Sequence, residues 1–390
     1  MIKKKRVYLD FVASAPVSDN AKRAFLRALS VFGNPSSAHT DGATARFLLE
    51  DARNIIARIV EAKTDDVLFT SGATEANAIA IRGHVQALMQ SNRDAHDIHV
   101  LYSPTSHSSV VKTAESLRSF GVCVEKIPLT KNGIVDTDAL ASMLREQTAL
   151  ISMDAVCGET GIIGNSREVR RVLEKANMKK RALLHVDASQ APCTERLTRS
   201  HWGADMLVLD AQKIGGVRGV GAIIAHRTIP FTPLFEGGGQ ERGVRSGTPP
   251  VALAVAFATA LKEVTNGREK FRARAEGART KLLQALNTIQ NCVVNEGKEN
   301  APNILNFSLI GRDTDYLSAL LDEAGFSVST KSACESDTQG SRVIKELTGD
   351  DSRSASTLRV SWGPSEPVRD ILRFSKALVR EVKFLDENHI

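Results

Sequence analysis

Seven short apolar runs constrain this chain more than anything else in it: DVLFT (66–70), IHVLY (98–102), VCVEKI (122–127), TALISM (148–153), RALLHV (181–186), DMLVL (205–209) and VGAIIA (220–225). Each has the length of a strand, and most carry apolar side chains at successive positions, which leaves no wet face. Helical patterns stand between several of them, at 136–145 and 166–177, and DVLFT runs through Ser71-Gly72 into a helical stretch from Thr74 to Met89. Upstream, Ala21, Ala24, Phe25, Ala28, Leu29 and Phe32 share one helical face, with Gly33 as a stop. Residues 43–60 repeat that pattern with Leu48, Ala52, Ile55, Ile56 and Ile59. Buried strands alternating with helices predict an α/β fold whose mostly parallel sheet is covered on both faces.

The texture changes near 262. A long charged helix is expected over 261–290, then a strand (304–308), a helix (314–324), a short strand, a polar stretch, a strand (357–362) and a terminal helix (366–384). This predicts a large domain over 1–262 and a smaller α+β domain over 263–390, with the first dozen residues packing with either. At ~100–200 residues per domain, 390 residues suit that division. The longest apolar stretch, VALAVAFATAL (251–261), is Ala-rich and reads as a buried helix. No run approaches the ~18 uncharged apolar residues of a membrane span. The opening KKKR-VYLDFV-ASA imitates a secretory signal, but its apolar part is too short and Asp10 interrupts it.

Lys and Arg number 51 and Asp and Glu 45, an excess of +6 that is modest for the length. It fits an anionic small ligand or an acidic protein partner. No basic stripe with interleaved aromatics points to nucleic acid. Cys123, Cys157, Cys193, Cys292 and Cys334 are scattered without a CxxC pair, so neither a disulfide framework nor a zinc site is expected. A reducing compartment, the cytoplasm, is the expected location.

The chemistry gathers where strands end, because ligands of open α/β sheets bind at the carboxyl edge. Ser71-Gly72-Ala73-Thr74-Glu75 turns a strand into a helix, whose backbone N–H groups and positive dipole end suit a phosphate. Asp187 ends HVD and could pair with a pyridinium nitrogen. Lys213 follows MLVLD and precedes Gly215-Gly216, a place from which an amine could condense with an aldehyde cofactor. His107, in SPTSHSSV, could stack on a flat ring or shuttle protons. Arg359, in TLRVSWG, would suit bidentate capture of a carboxylate. Singly, each has an ordinary explanation: a helix cap, a surface lysine, a hydrogen-bonded histidine, a salt-bridged arginine. Together they specify a pyridoxal-phosphate enzyme acting on an amino acid.

The chain resembles the cysteine desulfurases of the NifS/IscS type, within the class V aminotransferase fold family. GNPSS (33–37), TSGATEAN (70–77), HVDASQ, GGGQERGVRSGTPP (237–250), APNILN (301–306) and KSAC (331–334) carry the resemblance, in the family's order, from about Tyr8 to beyond Trp362. It implies the aspartate aminotransferase-like fold of pyridoxal-phosphate transferases for the large domain. It also implies that Lys213 holds pyridoxal 5'-phosphate covalently and that Thr74 and the backbone near Ala73 bind its phosphate. Thr248 would reach the phosphate of the neighbouring subunit, which implies a homodimer. His107 would stack on the ring, Asp187 would pair with the pyridinium, and Gln190 would hydrogen-bond the ring oxygen. Arg359 and Asn34 would hold the carboxylate of L-cysteine. Cys334 would be the nucleophile that takes the sulfur as a persulfide, for a protein acceptor in iron–sulfur cluster assembly or tRNA thiolation. No resident metal is implied, Cys334 serving at most as a transient iron–sulfur ligand.

Three positions depart from the family pattern. Where the family carries Ser-x-His-Lys, this chain reads Asp210-Ala211-Gln212-Lys213. An ionised Asp210 only accepts hydrogen bonds and would repel a phosphate, whereas Gln212 can still donate. Asp210 is therefore expected either to turn away or to weaken cofactor binding. In VCGETG (156–161), Cys157 takes the place of an asparagine that contacts the ring oxygen. Lys331 replaces a glycine beside Cys334. Two alternatives follow: a divergent class V lyase or aminotransferase acting on another amino acid such as selenocysteine, and a cofactor-poor scaffold paralogue.

Overall fold

The structure is a computed structural model that describes residues 6–330 and 340–388. Cys334 and Lys331 lie outside the described residues. Strand β1 (Val7–Tyr8) stands apart from the strands that follow it. Those are β2 (Val67–Thr70), β3 (His99–Tyr102), β4 (Cys123–Lys126), β5 (Thr148–Asp154), β6 (Leu183–Asp187), β7 (Met206–Asp210) and β8 (Gly221–Ala225). They form one sheet in the order β2-β8-β7-β6-β5-β3-β4. β8 runs antiparallel to β2 and β7, and the other pairs are parallel.

The seven apolar runs are these seven strands. Successive residues feed two cores: Phe69, Leu101, Ile151 and Leu184 point into one, and Leu68, Val100, Leu150 and Met206 into the other. Burial on both faces is the reason the runs show no alternation. Each fully buried aliphatic side chain contributes roughly 1.5–3 kcal/mol.

Helix α1 (Asp19–Ala28) starts at Ser18, whose side chain accepts from the Ala21 N–H. It ends at Ala28 with Leu29 as its cap, earlier than the apolar stripe implies, and Leu29 and Phe32 are 53% and 84% exposed. α1 and α2 (Thr40–Ile59) pack on one long helix, Val251–Leu286. The change of texture at 262 falls inside that helix. α3 (Ala73–Ala78) continues through a π turn, Ile79–Gly83, into the helix His84–Gln90, covering the stretch expected from Thr74 to Met89 and one residue more at each end.

Beyond the long helix come β9 (Cys292–Val294), β10 (Ile304–Leu309), β11 (Phe326–Ser327) and β12 (Thr357–Ser361). β12, β10 and β9 form an antiparallel sheet, with the helices Thr314–Glu323 and Val368–Asn388 beside it. β1 pairs with β11, and Asp10 bridges to Ser361, so the N-terminal segment joins the C-terminal sheets. From there it runs to the carboxyl edge of the large sheet. No helix among the described residues is long and apolar enough to cross a membrane.

Candidate active site

Three neighbouring parallel strands, β5, β6 and β7, each end in an aspartate: Asp154, Asp187 and Asp210. Beyond them opens a cavity of about 210 Å³. Ala73, Thr74, His107, Cys157, Asp187, Gln190, Asp210, Gln212, Lys213 and Arg359 all line it. The residues from Ala73 to Lys213 meet because these strands bring their carboxyl ends to one edge, and Arg359 reaches the same cavity from β12 of the C-terminal sheet.

Lys213 sits in the short turn after β7, and its Nζ donates to the carbonyls of Val12 and Ala13, both at 2.9 Å. Gln190 Nε2 donates to the same Val12 carbonyl at 3.1 Å. The N-terminal segment therefore holds both side chains at the cavity wall. Arg359, on β12, donates from Nη2 to Asp10 Oδ1 at 2.8 Å and from Nη1 to the Gly158 carbonyl at 3.3 Å. Its Nε is buried without a hydrogen-bond partner among the described residues.

The Asp187 carboxylate is held from two sides. Asn77 Nδ2 donates to Oδ2 at 2.7 Å, and the backbone N–H and hydroxyl of Ser189 donate to Oδ1 at 3.0 and 2.6 Å. Asn77 Nδ2 also lies 2.9 Å from Ser109 Oγ, which lies 2.8 Å from His107 Nδ1. The Ser109 N–H donates to that same Nδ1 at 3.1 Å, so Nδ1 is an acceptor and the neutral ring carries its proton on Nε2. Asp187, Asn77, Ser109 and His107 thus form one hydrogen-bonded chain. His107 also caps the helix Ser108–Ser116, which fixes its backbone.

Asp154 is one of the site residues that sequence reasoning missed. Its Oδ2 accepts from the His107 N–H at 2.9 Å, and its Oδ1 is buried without a hydrogen-bond partner among the described residues. Burial and then the nearby Asp187 push its carboxyl up to about 8. It stands opposite Asp187 in the β5–β6 register and carries a proton at neutral pH. The run TALISM stops one residue short of it, yet an aspartate at a strand's carboxyl end was the same signal that marked Asp187. Cys157 is buried 3.7 Å from the Thr105 carbonyl, and burial raises its thiol, so it stays protonated.

Asp210 does not turn away. Its Oδ2 accepts from the Ala73 N–H at 3.0 Å and its Oδ1 from the Gln212 N–H at 3.0 Å. Gln212 Nε2 lies 3.4 Å from Oδ2. The close approach of β8 to this turn needs Gly221, where a Cβ would meet the Gly72 backbone at 2.8 Å. Asn34 and Thr248 are exposed and do not line the cavity of the single chain. Away from the cavity, at the opposite end of β3 and β4, His99, Cys123 and Glu125 come together, but Arg145 donates to both Cys123 Sγ and Glu125 Oε2 there.

The cavity fits pyridoxal phosphate at one end and conflicts with it at the other. Around Lys213 and Asp187 an amine and a held carboxylate face the same space. At Ala73 an acidic side chain sits on the backbone donor that a phosphate would use.

A sequence profile of the aminotransferase class-V family matches residues 7–374. The curated relatives include cysteine desulfurase IscS 1 of Archaeoglobus fulgidus, 33% identical over 376 residues and covering 95% of each chain. The cysteine desulfurase IscS of Salmonella typhi is 31% identical over 365 residues, covering 92% of this chain and 88% of the relative. Among solved structures, a NifS-like protein superposes with a TM-score of 0.90 at 27% identity, over 97% of this chain and 100% of its own. SspA in complex with cysteine superposes with a TM-score of 0.78 at 26% identity, over 92% of this chain and 99% of its own.

Proposed function

The chain belongs to the aminotransferase class-V family, and on that premise we propose that it is a pyridoxal-phosphate-dependent cysteine desulfurase. It takes sulfur from L-cysteine, releases L-alanine and passes the sulfur on. The observation that carries this reading is the meeting of the Lys213 amine, the Asp187 carboxylate and the Arg359 guanidinium at one cavity. The relatives named cysteine desulfurases, and the neighbour solved with cysteine, support the choice of substrate. They do not favour the selenocysteine lyase and scaffold alternatives.

Pyridoxal phosphate, where bound, supplies an electron sink beside the substrate's Cα. Lys213 holds it and carries protons to and from Cα through Nζ. Asp187 pairs with the ring nitrogen, and Asn77 and Ser189 keep its carboxylate aimed. His107 would stack on the ring, and Gln190 and Cys157 would contact its ring oxygen. Ala73, Thr74 and Gln212 lie at the phosphate end, with Asp210 among them. Arg359, preset by Asp10, binds the substrate carboxylate with Asn34.

Cys334 attacks the substrate sulfur: an S–S bond forms, the C–S bond breaks, and a persulfide stays on the enzyme. An acceptor protein of iron–sulfur cluster assembly or tRNA thiolation then takes it. Thr248 completes the phosphate site of a second copy in a homodimer. Leu26, Leu29, Phe32 and Phe47, which bracket Asn34 in sequence, are exposed apolar side chains that such an association could cover. A cytoplasmic location is consistent with the thiol chemistry.

The test is to incubate the purified protein with L-cysteine, pyridoxal phosphate and a reductant. Sulfide and alanine are expected in equal amounts. Lys213→Ala abolishes both, and Cys334→Ala abolishes persulfide transfer to an acceptor. Absence of alanine from the unaltered protein overturns the reading.

A further inference from the structure

Three backbone donors at the turn into α3 are already engaged by the chain itself. The Ser71 N–H donates to Glu75 Oε2, the Gly72 N–H to Thr70 Oγ1 at 3.4 Å, and the Ala73 N–H to Asp210 Oδ2 at 3.0 Å. Two of those three acceptors are carboxylates. Across the turn Asp210 also draws in the Gln212 N–H at 3.0 Å, and its side chain is buried. The nearby cations are committed elsewhere: Arg245 Nε pairs with Glu75 at 3.1 Å, and Lys213 Nζ bonds the Val12 and Ala13 carbonyls.

A phosphate seated on these donors would adjoin the Asp210 carboxylate. It must compete with that carboxylate for the Ala73 and Gln212 donors. Like charges at such separations repel strongly where water is partly excluded. None of this touches the other end, where Lys213 and Asp187 act on the aldehyde and the ring.

We propose that Asp210 is a specificity-determining residue that fills the phosphate seat from within, so that the site discriminates little between pyridoxal phosphate and phosphate-free pyridoxal. This rests on the reading of Lys213 as the cofactor's anchor. In a site built around a phosphate, that group supplies much of the affinity. Here the chain supplies its own anion, and the same bonds hold the Ala73 turn in place before any cofactor arrives. Asp210 therefore has two effects of opposite sign: it steadies the apo fold and weakens phosphate binding.

The experiment titrates the apo protein separately with pyridoxal phosphate and pyridoxal, following the borohydride-reducible absorbance of the Lys213 adduct. It compares Asp210 with Asp210→Ser and the near-isosteric Asp210→Asn. Both variants are expected to bind pyridoxal phosphate at least tenfold more tightly, to bind pyridoxal within twofold of the unaltered protein, and to melt at a lower temperature as apo proteins. A residue with only a structural role would lower melting temperature and both affinities together. Affinities that move together, or a pyridoxal phosphate affinity that stays unchanged or falls in both variants, overturn the proposal and leave the desulfurase reading standing. No Lys213 adduct with either aldehyde in any of the three proteins overturns both.

Discussion

Asp187 and Asp210 end neighbouring strands of one sheet, and their carboxylates face one cavity from its two ends. At the ring end, side chains from α3 and from the turn after β6 donate to Asp187, so a carboxylate is presented ready to meet a cation. Where the proposed function puts the phosphate, the carboxylate of Asp210 itself engages backbone donors. The residue type and strand position are the same, and what differs is the turn that follows. After β6 the turn supplies a hydroxyl and the backbone N–H of Ser189. After β7 it brings Asp210 against the first N–H of a helix. The lesson is that an aspartate at a carboxyl edge reports the edge, while its role is set by the donors the next few residues bring.

The sharpest way to break this contrast is at its ring end. Asp187→Ala removes the only one of the two carboxylates that faces a cofactor nitrogen in the proposed function. A fall of about 10²–10⁴-fold in kcat is expected, in the range of other proton-handling side chains. Steady-state alanine production measures it, with circular dichroism to check the fold. If Asp187→Ala costs no more than Asp210→Ala, the two ends are not chemically distinct.

Asp154 sharpens the contrast from a third strand. Its carboxyl, held up at about 8 by burial and then by Asp187, starts from an ordinary value of 3.8. The folded protein therefore binds more protons than the unfolded chain between those values. Stability is greatest on the acid side of this window and is lost as pH rises toward 8. Asp154→Asn removes the titration. It should flatten the melting-temperature profile between about pH 5 and 8 and stabilise the protein at pH 8 by about 2 kcal/mol, less than full linkage because the side chain borders the cavity. Melting curves across that pH range decide it, and an unchanged slope would mean that Asp154 does not keep its proton in the folded protein.

Much of the fold is legible because burial on both faces leaves continuous apolar runs, and DVLFT and VGAIIA mark their strands as plainly as the parallel ones. Direction is a different matter. β8 runs antiparallel, and nothing in GAIIA distinguishes it from LLHVD, since a buried strand looks the same either way round. The end of α1 was also hidden: Leu29 and Phe32 continue the apolar spacing although the helix stops at Ala28. In the site, Lys213, Asp187 and His107 are legible because they follow strands. Asn77, Ser109 and Asp10 are not. Asn77 and Ser109 are ordinary helix residues until the phase of each helix turns Asn77 toward Asp187 and Ser109 toward Asn77, and Asp10 meets Arg359 only because β1 joins the C-terminal sheets. Asn34 and Thr248 were placed by resemblance alone, and a single chain leaves both outside the cavity.

The smallest expected effect tests whether the ring end acts as a connected unit. Ser109 Oγ lies between Asn77 Nδ2 at 2.9 Å and His107 Nδ1 at 2.8 Å, so one hydroxyl can accept from the amide and donate to the imidazole. Ser109→Ala deletes that link and leaves every charged group in place. The Ser109 N–H still reaches Nδ1 at 3.1 Å, so the ring keeps an acceptor role there and its tautomer. The loss is therefore close to one net hydrogen bond, about 1 kcal/mol, or roughly fivefold in kcat/KM. Combining it with Asn77→Ala gives the decisive reading. If the two residues aim Asp187 through one chain, the double variant loses less than the sum of the single losses. Strict additivity would show that Asn77 and Ser109 support the carboxylate and the imidazole separately.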